Sequence, residues 1–130
     1  GSSAILTGKC DLVGTKDGTV RVIDCKTGEP RAKDKIQVAI YCICLPLAWK
    51  RPTLRVHGAV VYPGHTIWIE PEQADTIREK LFALIRQIGQ DAPLPTTPSM
   101  NECRFCNVTK ADCPDRIEIV EDPAVLTTEF

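Results

Sequence analysis

Asp11, Asp24 and Lys26 have the side-chain types and spacing for metal-assisted chemistry. The run from Val20 to Lys26 is β-branched and half apolar, and Thr27-Gly28-Glu29-Pro30 stops it, so it reads as a strand ending in a turn. Alternation along a strand puts Asp24 and Lys26 on one face, roughly 6 to 7 Å apart, with Cys25 pointing the other way. Two carboxylates brought close repel unless a cation lies between them, and hard oxygen ligands suit Mg²⁺ or Mn²⁺. The lysine beside them is left free for chemistry.

Those residues need neighbours to bring them together. Residues 4 to 13 form a second strand candidate, and Gly14 to Gly18 read as the turn that folds it onto the first, a hairpin in which Asp11 lies across from Asp24. Downstream, Lys33 to Leu47 is helical in pattern, with Ile36, Ala39, Ile40, Ile43 and Leu47 as the expected apolar stripe. Gln37 and Tyr41 are a polar pair one turn apart on a neighbouring face. The order Gly8-x-x-Asp11, Asp24-x-Lys26, Gln37-x-x-x-Tyr41 resembles the RecB-type branch of the PD-(D/E)XK nucleases, which includes CRISPR-associated RecB-like exonucleases and AddB-type helicase-nucleases.

The resemblance implies an α+β, restriction-endonuclease-like core: a mixed, mostly antiparallel sheet with flanking helices, followed by a cysteine-rich loop. It implies a divalent cation, Mg²⁺ or Mn²⁺, held by Asp11, Asp24 and the backbone carbonyl of Cys25. Lys26 would orient or deprotonate the attacking water, and Gln37 and Tyr41 would position the DNA strand. The expected activity is a metal-dependent DNA nuclease, exonucleolytic on single strands or ends, in repair, recombination or CRISPR adaptation, with other recombination or CRISPR proteins as partners. The family supplies a further acidic residue from a helix ahead of the first strand, and only seven residues precede Gly8, so the chain is expected to be trimmed at its N-terminus. The alternative is a non-catalytic nucleic-acid-binding or assembly module that keeps the fold.

The rest of the chain divides as 4–90 for the core, 91–101 for a Pro-rich linker, 102–114 for a cysteine segment and 115–130 for an acidic tail. Thr53 to Val61 and His65 to Glu70 read as a second hairpin, and Pro71 to Gln90 as an amphipathic helix packed on the sheet. His57 and His65 are read as exposed or core residues rather than ligands, and Trp49 and Trp68 as core or rim packing. Cys103-x2-Cys106-x6-Cys113 offers soft thiolates in a tight loop, a cradle for zinc or an iron–sulfur cluster, but supplies three of the four ligands that either needs. The bland reading is three free cysteines. By the resemblance they match the last three ligands of a [4Fe–4S] cluster, and a small zinc-ribbon protein is a third reading of the whole chain.

Composition narrows the class. At 130 residues, 43% hydrophobic and 25% charged, the chain is one soluble globular domain, with no apolar run long enough to span a membrane. Its net charge of −1 does not advertise nucleic acid, yet Lys26 to Arg55 carries seven basic residues against two acidic ones. Seven cysteines, an odd count with no visible export signal, favour a reducing, intracellular setting, with Cys10, Cys25, Cys42 and Cys44 expected as small buried hydrophobes.

Overall fold

A hairpin begins the ordered framework. In the computed structural model, which describes residues 3–118, β1 (Leu12–Lys16) pairs antiparallel with β2 (Thr19–Cys25), from Leu12 opposite Ile23 to Lys16 opposite Thr19. Asp17 and Gly18 make the tight turn, both at positive φ, 51° and 77°, a backbone whose twist matches that of the paired strands. The turn is two residues long rather than five, because Gly14 to Lys16 are already in β1. Residues 4 to 10, expected as strand, lie outside the sheet.

From the end of β2 the chain crosses through α1 (Ala32–Ala48) to β3 (Val56–Tyr62), which lies parallel to β2 with Cys25 opposite Val61. β4 (His65–Ile69) returns antiparallel, and the sheet order is β1-β2-β3-β4. The sheet is therefore mixed and mostly antiparallel, as expected. Among the described residues its one parallel pair is β2–β3, and α1 is the crossover a parallel pair requires.

α1 packs on one sheet face through Val38, Ala39, Cys42 and Ile43, against Val22, Val56 and Val60. This face is rotated from the expected stripe: Ala39 and Ile43 are shared, but Ile36 and Leu47 are 49% and 45% exposed. The helix is apolar almost all round, so periodicity could not set its phase. The sheet does so through Gly58, where an added Cβ would stand 2.6 Å from Val38 Cγ1 and 3.1 Å from Cys42 Sγ. Only a bare backbone lets α1 approach that closely.

The expected helix over 71–90 is two helices, α2 (Pro71–Asp75) and α3 (Arg78–Ile88). α2 starts with a capping box between Glu70 and Gln73. It ends where Thr76 Oγ1 donates to the Gln73 carbonyl at 2.7 Å and the chain tightens into i→i+3 bonds from Thr76 and Ile77. α3 packs on α1 and α2 and buries none of its residues fully, so it is a loose flank rather than a cover on the sheet. Trp49 and Trp68 lie at the rim, Trp68 beneath the Arg21 guanidinium at 4.8 Å.

The chain forms two units, residues 1–92 and 93–130. In the second, Ser99 caps the short helix α4 (Met100–Arg104) by accepting from the Glu102 N–H, and Arg116 donates to the carbonyls of Cys106 and Val108. Most of the expected acidic tail, residues 119–130, lies outside the described residues. No described helix is long and apolar enough to cross a membrane.

Candidate active site

β2 ends by turning its last inward side chain, Asp24, into the interface with α1, where it is 2% exposed. An unpaired carboxylate there would cost several kcal/mol. Lys26, the first residue beyond the strand, supplies the countercharge: its Nζ lies 2.7 Å from Asp24 Oδ2. The hydrogen bond to Asp24, above all, raises the Lys26 ammonium above its ordinary pKa, with Asp34 and Asp11 adding to the negative field. Lys26 therefore carries its positive charge at neutral pH.

Asp11 stands immediately before β1, and the strand register, extended by one pair, places it opposite Asp24. Its Oδ2 accepts the Cys25 backbone N–H at 2.9 Å. From α1, Gln37 Oε1 accepts from Lys26 Nζ at 3.0 Å and Gln37 Nε2 donates to the Tyr41 hydroxyl at 3.0 Å. Tyr41 in turn donates to the Lys9 carbonyl at 2.9 Å. The chain of contacts thus closes on itself, from the segment ahead of β1, through the end of β2, to one face of α1 and back. All five side chains singled out in the sequence, Asp11, Asp24, Lys26, Gln37 and Tyr41, meet in it.

Gly8 has a physical place in the same arrangement. A Cβ there would sit 3.0 Å from Tyr41 Cε1, so the glycine lets the chain lie against the tyrosine ring while Asp11, three residues on, reaches the end of β2. Burial raises the pKa of the adjoining Cys10 thiol, and the charges of Asp11 and Asp24 raise it further. Anionic character thus concentrates at this end of the sheet.

Two carboxylates with such surroundings fit a hard divalent cation. Asp24 is buried with its Oδ2 2.7 Å from the Lys26 ammonium, and Asp11 stands at the same strand end. Among the described residues no three His, Cys, Asp or Glu side chains form a metal-holding group. A magnesium-like ion takes one or two carboxylates and completes its shell with water and substrate oxygens, a set that two aspartates and a backbone carbonyl could begin. Asp11, Asp24 and the Cys25 carbonyl are the groups at hand.

Asp34 escaped the sequence reading. It lies in the first turn of α1, 6% exposed, and accepts from the Tyr62 hydroxyl at 2.8 Å. The signal was its spacing: Asp34, Gln37 and Tyr41 are at i, i+3 and i+7, one face of a helix. Beside them runs a groove of about 490 Å³ lined by Lys26, Arg31, Lys33, Asp34 and Gln37 together with the 27–29 turn.

The other candidates lie elsewhere or do other work. Cys25 is exposed and Cys10 and Cys44 half-buried; of the four thiols expected in the core, Cys42 alone is buried. His57 pairs with Glu70 at 2.8 Å. Cys103 is buried in α4, where its Sγ accepts the Ile117 N–H at 3.4 Å, while Cys106 is exposed and Cys113 half-buried. The structure does not gather these three thiols into a ligand set.

Comparison with known proteins adds one match. A family model described as the PD-(D/E)XK nuclease superfamily covers residues 1–114. No curated protein and no solved structure matches the chain.

Proposed function

Because this chain belongs to the PD-(D/E)XK nuclease superfamily, we propose that it hydrolyses DNA phosphodiester bonds with a divalent cation, acting on single strands or ends. The carrying observation is the convergence of Asp11, Asp24 and Lys26 at the end of β2, with Asp24 buried against the Lys26 ammonium.

Asp11, Asp24 and the Cys25 carbonyl would hold Mg²⁺ or Mn²⁺. When bound, such an ion supplies Lewis-acid polarisation of the scissile phosphate. Lys26 contributes fixed positive charge. Its ammonium donates to the attacking water or to a phosphate oxygen and offsets the charge that grows on that oxygen. Gln37 keeps the ammonium aimed, because its Oε1 takes one of the three Lys26 protons and Tyr41 fixes the rest of the amide.

The groove beside Lys26 supports the substrate class. It is an open groove of about 490 Å³ beside the Lys26 ammonium. Arg31 and Lys33 on its wall would meet the backbone phosphates. A role in recombination, repair or CRISPR adaptation accords with the RecB-type order of motifs.

The test is cleavage of end-labelled single-stranded DNA by the wild-type chain and by Asp24→Asn, with Mn²⁺ and with EDTA. Metal-dependent cleavage that falls by about 10²-fold or more in the variant is expected. Tight DNA binding without any cleavage by the wild type would instead indicate a non-catalytic module.

A further inference from the structure

Resting on the nuclease reading, we infer that Asp34 is a positioning residue: acting through the Tyr62 hydroxyl, it fixes the first turn of α1 so that Gln37 meets Lys26.

The start of α1 lacks an ordinary cap. Arg31 stands at the N-cap position and makes no side-chain capping bond. In a capping box, the acidic side chain at the third helical position reaches back to the N-cap backbone N–H. Asp34 occupies that third position, but a hydroxyl from another element stands between the two groups. The Arg31 N–H donates to Tyr62 Oη at 3.4 Å, and Tyr62 Oη donates to Asp34 Oδ2 at 2.8 Å. The cap is thus relayed through the last residue of β3.

That relay has a geometric consequence. β3 is the parallel neighbour of β2, with Cys25 opposite Val61, and the Lys26 N–H donates to the Val61 carbonyl at 2.8 Å. Tyr62 and Lys26 are therefore tied to the same strand end. By gripping the N-terminal turn of α1 from there, Tyr62 sets both the height and the rotation of the helix relative to Lys26. Gln37, one turn further on the same face, inherits that setting. Both members of the grip are nearly inaccessible, Tyr62 at 4% and Asp34 at 6% exposed. The burial of Tyr62 and its bond to Asp34 both hold the phenol in its neutral, donating form.

A merely stabilising contact would act on unfolding alone, whereas a positioning contact acts through Gln37. The experiment compares Tyr62→Phe, Asp34→Ala and Asp34→Asn with Asp24→Asn in the full chain. Two quantities are measured: kcat and KM on single-stranded DNA, and the ¹⁵N resonances of the Gln37 side-chain amide without substrate. Tyr62→Phe and Asp34→Ala are expected to shift the Gln37 amide and to lower kcat about tenfold with little change in KM. Asp34→Asn keeps an acceptor oxygen and is expected to restore most of both. In a Gln37→Ala background, Tyr62→Phe should cost little more. An unmoved Gln37 amide in a folded Tyr62→Phe chain would overturn the inference, as would an undiminished effect of Tyr62→Phe in the Gln37→Ala background. Undiminished cleavage by Asp24→Asn would instead sink the nuclease reading, and the amide resonance would still decide the role of Asp34.

Discussion

Lys26 shows how a reactive-looking residue is assigned by its partners. Between Asp24 and Gln37 its ammonium is held charged, and on the proposed reading it serves as a fixed cation at a defined point. Lys26→Met, which keeps the stem and removes the charge, is expected to lower the cleavage rate by about 10²-fold. Lys26→Arg is expected to recover only part of that, since a planar guanidinium does not replace a compact ammonium. Rates on the same DNA at saturating metal check both. The types and order of these residues were legible in the sequence because a D-x-K at a strand end and a Q-x-x-x-Y on a helix are local patterns. Asp34 and Tyr62 were not, because the bond that gives them a role joins residues 28 apart.

At the scale of elements, the decisive contact is α1 on β3 at Gly58. A Cβ there would meet Val38, Cys42 and Ile69 within 3.2 Å, and none of these is a flexible chain end. Gly58→Ala is expected to destabilise the fold by about 1–3 kcal/mol, read as a lower midpoint in urea, and to reduce activity by displacing Gln37 from Lys26. The two hairpins and the crossover helix were legible from turn residues and β-branched runs. The phase of α1 was not, because Ile36, Ile40 and Leu47 are as apolar as the Val38, Cys42 and Ile43 that the sheet covers. Nor was the break in 71–90 visible: Ile77, Leu81, Leu84 and Ile88 keep helical spacing across it, while Thr76 bonds back to Gln73 and ends the first piece.

For the whole molecule, the groups with raised pKa values act with one sign. Burial pushes Cys42 up from 9.0 to about 12. Tyr62 is raised by burial and by Asp34, and Lys26 chiefly by its hydrogen bond to Asp24. In each case the unfolded chain loses its proton first as pH rises. The associated stability is complete below the unfolded pKa and is lost on the way up through the folded one. Thermal midpoints should therefore hold steady up to about pH 9 and fall above it. Cys42→Ala should lower the midpoint at neutral pH through its cavity and flatten the first part of that alkaline fall.

By itself the sequence determined the kinds of groups and the local geometry each could adopt. Alternation put Asp24 and Lys26 on one side of a strand, a short turn brought Asp11 opposite, and an i,i+4 pair set Gln37 beside Tyr41. Only the tertiary structure decided which face of α1 looks inward, that Asp24 is buried against the Lys26 ammonium, and that Tyr62 relays the cap of α1. The physical reason is range. Strand and helix periodicity act over a few residues, whereas burial and the rotation of a helix over a sheet depend on close approaches, such as that at Gly58, between segments far apart in the chain.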